Sequence, residues 1–231
     1  MSAIASTPNL LAEQLYLKLK DDIFSFRLLS GERFTESEMA ERYGVSRTPI
    51  RDALYRLERE GYLQVGFRSG WSVRPFDFER FEQLYDLRVI LELAAIQILC
   101  EAEVAPDLSE LQAIWMVAPA DRLTDGAEVS ALDEAFHQTL VQQTGNAEMA
   151  RVHLELTEKI RIIRHLDFTK ENRIATTYEE HGEILRLLAR RKEIQVKMLL
   201  KSHIETSKAE VRKITIHMLH TARQKVVDQA K

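Results

Sequence analysis

The sequence changes its repeat length once between Thr35 and Val73, at Gly61, and that change restricts the fold more than any other feature. Before it the spacing is helical. Thr35 and Glu38 make a T-x-x-E capping box, so a short helix should start there and stop near Tyr43-Gly44. Ser46 is placed to cap the next helix, Pro49 is tolerated in its first turn, and Gly61 closes it. Upstream, Ala12, Leu15, Tyr16, Leu19, Ile23 and Phe26 predict a helix over 10–27. After Gly61, Tyr62–Val65 and Trp71–Val73 read as two short strands around a turn at 67–70. Three helices followed by a β-hairpin is the order of a winged helix-turn-helix, here assigned to residues 1–74.

Residues 75–77 look like a linker, and beyond them the pattern is helical to the end. The spacing predicts helices at 78–103, 107–116, 128–144, 146–166, 172–190 and 192–219, followed by a polar tail. The expected fold is therefore mainly α, with a second, all-α helical domain over 78–231. One cysteine, Cys100, excludes an intramolecular disulfide and any cysteine-cluster metal site. No run approaches the roughly 20 apolar residues of a membrane span, and the N-terminus lacks a secretory pattern. These features predict a cytoplasmic protein with no membrane partner.

The formal charge of −4 is unevenly distributed. Residues 46–74 hold six arginines (Arg47, Arg51, Arg56, Arg59, Arg68, Arg74) against Asp52, Glu58 and Glu60. Screening confines each charge to about 8–10 Å, so such a strip can bind phosphates on an anionic chain. On the third helix Ile50, Ala53, Leu54 and Leu57 form the apolar stripe. The opposite face carries Thr48, Arg51, Asp52 and Tyr55, with Arg47 at its N-terminal shoulder. Arginine's planar fork suits guanine O6 and N7, and Ser46, Thr48 and the helix-start N–H groups suit phosphate oxygens. An ordinary solvated helix face is the competing reading.

The runs Ser30–Phe34, Ser37–Ala40, Tyr43–Leu54 and Leu57–Gly61 resemble the GntR family of bacterial transcription regulators. The hairpin ending Arg68–Val73 resembles that family's wing. The resemblance implies double-stranded operator DNA as partner, base contacts from Arg47 and Arg51, phosphate contacts from Ser46 and Thr48, and a wing carrying Arg68 and Gly70. Ser37 departs from relatives with a DNA-contacting arginine there, and Ser30 replaces the usual proline.

All seven histidines lie beyond residue 136. Asp133 and His137, four apart, share a helix face, while His181 and His203 interrupt apolar stripes on two other helices and should point inward. One carboxylate and three imidazoles would suit a divalent transition metal, with zinc first and nickel, manganese or iron as alternatives. For any single histidine, a hydrogen-bonded core residue competes with that reading. The runs Asp133–His137, Gly145-Asn146, Glu180-His181 and Leu200–Ile204 are similar to the FCD effector domain of FadR-type regulators, in its six-helix, VanR-like version. Asp133, His137, His181 and His203 match that domain's metal-binding positions. His153, His165, His217 and His220 match nothing and read as ordinary residues.

The run Leu84–Glu92 resembles the opening helix of the FCD domain, where an arginine faces the ligand cavity. It implies that Arg88 binds a small carboxylate effector, an aromatic or sugar-derived acid. Arg164, flanking the stripe Met149, Leu156, Ile160, Ile163, is a second candidate. A surface Arg88–Glu92 ion pair competes with the effector role. The function expected is a homodimeric, ligand-responsive regulator, which the family resemblance implies is a repressor, and not an enzyme. A metalloenzyme or a pure metal sensor built on the Asp/His site is the alternative.

Overall fold

The computed structural model describes residues 8–24, 27–29, 31–66, 70–75, 77–164, 167–168 and 171–229. Contacts divide the chain into two compact units, Met1–Asp77 with Ile216–Lys231, and Phe78–Thr215.

The first unit opens with α1 (Pro8–Phe24), followed by β1 (Arg33–Phe34), α2 (Glu36–Tyr43), α3 (Arg47–Arg59), β2 (Leu63–Gly66) and β3 (Gly70–Val73). The capping box forms as the spacing required: Glu38 N–H donates to Thr35 Oγ1 (3.2 Å) and Thr35 N–H to Glu38 Oε2 (2.6 Å). Gly44 ends α2 at φ 66°, a left-handed conformation that glycine enters without steric cost. Ser46 occupies the N-cap position of α3, but its side chain makes no capping bond, contrary to expectation. Ile50, Ala53, Leu54 and Leu57 are buried against Leu15, Tyr16, Leu19 and Ile23 of α1 and Met39 and Ala40 of α2. Each large side chain in that stripe contributes about 1.5–3 kcal/mol by leaving water.

The hairpin is also as expected, but it has a third strand. β3 lies between β1 and β2, both antiparallel to it, with Phe34 opposite Trp71 and Val65 opposite Trp71 on its other side. A two-residue strand has no period to read, so β1 is invisible in the sequence. Phe26, Ser30, the wing tip at 67–69 with Arg68, and His165 lie outside the described residues.

The second unit holds α4 (Phe78–Glu101), α5 (Ser109–Trp115), a 3-10 turn (Pro119–Asp121), α6 (Gly126–Gln142), α7 (Ala147–Arg164), α8 (Glu171–Ala189) and the start of α9 (Glu193–Gln229). The polar tail expected after residue 219 is instead the last part of α9. α4 packs on α6 and α7, α6 on α7 and α8, and α5 on α8. α9 runs antiparallel to α4, with Lys197 on Gln97, Lys208 on Asp86 and Arg212 on Glu82. Asp125 caps α6 by accepting from the N–H groups of Ala127 and Glu128, both at 2.9 Å. The helix starts two residues earlier than its spacing predicts because Asp125 caps it there, and Gly126 lies under Phe168. A Cβ at Gly126 would meet the Phe168 carbonyl oxygen at 2.3 Å, so no larger residue fits. Among the described residues no helix is long and apolar enough to cross a membrane.

Candidate DNA-reading face and metal centre

At the start of α3, Ser46, Arg47, Thr48 and Arg51 are exposed, opposite the buried stripe. Tyr55 stands on the same side with its ring edge-on to Trp71, 5.1 Å between centroids. Gly70 begins β3. The arginines are not free on that surface. Arg51 Nε donates to both carboxylate oxygens of Glu36 (3.0 Å each), and its Nη2 donates to Oε2 at 2.8 Å. Arg47 Nη2 reaches the same Oε2 at 3.3 Å. Hydrogen bonding from Arg51 holds the Glu36 carboxyl below the usual carboxylate range. Glu36 was not among the residues the sequence singles out.

In the second unit the packing of α6, α8 and α9 brings Asp133, His137, His181 and His203 together, all buried. Asp133 Oδ1 lies 3.6, 3.3 and 3.5 Å from Nε2 of His137, His181 and His203. His203 Nε2 lies 3.3 Å from Nε2 of both other histidines, and all four candidate ligand atoms lie within 4.8 Å of one another. Four donors about 2.0–2.1 Å from a tetrahedral ion would stand about 3.3–3.4 Å apart. Among the described residues, none donates a hydrogen bond to Asp133 Oδ1, although it is buried. A carboxylate oxygen facing three imidazole Nε2 atoms, itself without a donor, is an arrangement that a cation satisfies.

The surrounding residues favour the ligand form of each imidazole. His137 Nδ1 donates to Glu92 Oε2 (2.5 Å) and His203 Nδ1 to Glu180 Oε2 (2.7 Å), which turns both Nε2 lone pairs inward. His181 is held by packing instead, stacked on Phe136 at 3.7 Å and edge-on to Trp115 at 4.2 Å. Burial pushes His137 down to about 4, against the pull of Glu92, and burial also holds His181 well below its usual range. Burial alone would raise Asp133, but the Arg164 guanidinium opposes it, and the carboxyl is held well below its usual range. Neutral His137 and His181 beside an ionised Asp133 are in the protonation states that bind a metal.

Arg88 and Glu92 do pair, Nε to Oε1 at 2.7 Å, but each is only 1% exposed, so the surface ion pair considered for them is a core pair instead. Both lie on the buried row Phe81, Tyr85, Arg88, Glu92, Ala95, Leu99, a signal present in the sequence. Arg164 is buried too and donates to Asp133 Oδ2. Among the described residues, Arg88 Nη2 and Arg164 Nη1 are buried without a hydrogen-bond partner. His153 is also more than an ordinary core residue, since its Nε2 lies 3.1 Å from Glu92 Oε1. Arg173 bridges Asp167 Oδ2 (2.9 Å) and Glu180 Oε2 (3.0 Å). His217 and His220 are exposed.

Residues 11–73 match the model of the bacterial regulatory proteins of the gntR family, and residues 83–206 match the FCD domain. The chain belongs to the GntR family. It is a GntR-family transcription regulator with an FCD effector domain, and GntR regulators bind DNA and small-molecule effectors. It is 32% identical to the Nta operon transcriptional regulator of Aminobacter aminovorans over 181 residues, 78% of this chain and 85% of that protein. It is 24% identical to the HTH-type transcriptional repressor RspR of Escherichia coli over 207 residues, 87% of this chain and 89% of that one. Among solved structures, that of Lar, which controls the expression of the Listeria monocytogenes agr system and mediates virulence, matches with TM-score 0.67 at 22% identity. The match covers 88% of this chain and 97% of that one. At that identity the likeness speaks for the fold. The GntR winged helix and the all-α FCD domain expected from the sequence are therefore both present.

Proposed function

We propose that this GntR regulator is a homodimeric repressor of palindromic operator DNA, with a metal-dependent site for a small carboxylate effector. Arg47 and Arg51 would read base edges, Ser46 and Thr48 would hold phosphates, and the wing with Arg68 and Gly70 would enter the minor groove. Ser46 supports this reading, because its hydroxyl is not engaged in capping α3 and remains able to donate to a phosphate. A two-fold dimer presents two such helices to two half-sites, hence the palindrome. The relative named as a transcriptional repressor supports that sign of regulation.

The observation that carries the effector site is the unsatisfied Asp133 Oδ1 facing three imidazoles. Asp133, His137, His181 and His203 would hold one divalent transition metal, zinc foremost. Bound there, the ion would supply coordination positions that attract an oxygen ligand. The charges around it favour an anion. Arg88, Arg164 and Arg173 balance Glu92, Asp133 and Asp167, all six buried, so a divalent ion leaves an excess of two positive charges. Half-buried Glu180 offsets one of them. The unpartnered Arg88 Nη2 and Arg164 Nη1 would then donate to a carboxylate, which burying a guanidinium N–H otherwise leaves unmet. Binding regulates the protein only if the acid prefers one of the DNA-bound and released states.

Protein purified without chelators should contain one metal per chain. A panel of small carboxylates titrated by calorimetry should yield at least one that binds the metal-loaded protein, binds weakly after metal removal, and changes operator affinity. Metal content unchanged in His181→Ala and His203→Ala would overturn the metal site. Equal acid affinity in wild type and Arg88→Ala would overturn the arginine's role.

A further inference from the structure

The clasp on the two exposed arginines of α3 has its own consequence for DNA recognition. We infer that Glu36 is a specificity-determining positioning residue, which clamps Arg51 and Arg47 so that they serve base edges and not phosphates. This rests on the reading of α3 as the DNA-reading helix.

Arg51 gives Glu36 its Nε–H and one Nη2–H, at 3.0 and 2.8 Å. Those are the two donors on one side of the guanidinium. The Nη1/Nη2 edge remains, and it is a fork of the width that guanine O6 and N7 accept. An unclamped arginine side chain has several rotatable bonds and can swing to whichever phosphate is nearest. A carboxylate gripping its flank removes that freedom before DNA arrives. Arg47 Nη2 leans on the same oxygen at 3.3 Å, so one acid restrains both side chains. Glu36 is itself well held, with its side chain 15% exposed against 49% for Arg51 and 60% for Arg47. It also places a negative charge among the cations of this face. That charge repels phosphates, and so weakens the sequence-independent part of binding more than the bidentate base contact.

The test uses the full chain and two duplexes. One is the sequence that wild type selects from a randomised pool, and the other is a shuffled duplex of equal composition. Glu36→Gln and Glu36→Asp are compared with wild type by fluorescence anisotropy across a salt series, with thermal melts recording that each variant folds. Gln removes the charge at equal length, whereas Asp keeps the charge but is one methylene too short to hold both arginines. The expected result for Glu36→Gln is tighter binding to the shuffled duplex, with a salt slope steeper by about one released phosphate contact, roughly 0.9 in the logarithmic slope. The ratio of selected to shuffled affinity should fall by about tenfold. Glu36→Asp should lose part of that ratio with a smaller change in slope. An unchanged ratio overturns the inference, and so does a loss of selected-duplex affinity with shuffled binding and salt slope unmoved, which would make Glu36 a direct base contact. Arg51→Ala in the same assay separates the two levels. If it leaves base preference intact, the reading of α3 fails; if it abolishes preference while Glu36→Gln does not, only the role of Glu36 fails.

Discussion

Arg164 holds one oxygen of Asp133 and leaves the other facing three histidines. The pair is fully buried, each side chain about 3% exposed, so the guanidinium balances the carboxylate charge while Oδ1 stays turned toward the imidazoles.

Removing Arg164 should therefore destabilise the fold and weaken the site together. Breaking one side of a buried ion pair costs about 3–5 kcal/mol, because the remaining charge has no partner. Arg164→Met should lower the urea midpoint of metal-free protein accordingly, and Asp133→Asn in the same chain should restore part of the loss. A single variant as stable as wild type would show that the pair contributes nothing.

Glu92 should tune metal binding without touching the ion. It accepts from His137 Nδ1, and such partners typically change metal affinity about 10–100-fold. Glu92→Gln should weaken metal binding by that factor in competition with a chromogenic chelator. The same variant should keep one metal per chain at saturation. Wild-type affinity in the variant would argue that packing alone orients His137.

The buried imidazoles should make metal-free protein acid-sensitive in a defined window. His137 titrates near 4 in the folded chain against 6.5 unfolded, so the unfolded chain takes up the proton first as pH falls. Stability contributed by neutral His137 is whole above about pH 6.5 and declines toward pH 4, by roughly 3–4 kcal/mol in all at about 1.4 kcal/mol per pH unit. Asp133 and Glu92, held well below the carboxylate range, remain ionised across that window. Urea midpoints measured from pH 7 to 4.5 should fall less steeply in His137→Gln than in wild type. Parallel curves would assign the acid sensitivity elsewhere.

Arg51→Ala should reduce affinity for the selected duplex by about 1–3 kcal/mol and relax the preference at one base pair of each half-site. Binding of the shuffled duplex at the same salt concentration provides the comparison. A uniform loss on both duplexes would recast Arg51 as a phosphate contact.

Short-range signals account for most of the architecture. The Thr35/Glu38 cap, the stripe from Ile50 to Leu57 and the two-residue alternation beyond Gly61 are each complete within a turn or two of chain, so linear spacing carries them. The grouping of Asp133 and His137 is local for the same reason, being one helical turn. His181 and His203 were legible as polar residues interrupting apolar stripes, although their approach to Asp133 needed the packing of α6, α8 and α9. The partners that set the chemistry are more remote: Glu36 lies 15 residues from Arg51, Asp133 31 from Arg164, and Glu92 45 from His137. Arg88 shows the difference most clearly. Its spacing to Glu92 is an ordinary surface-pair spacing, and nothing within that one turn says whether water or protein covers it. Only the packing of α4 against its neighbours buries both charges. Burial then removes the screening that would make the pair weak and leaves Arg88 Nη2 without a partner.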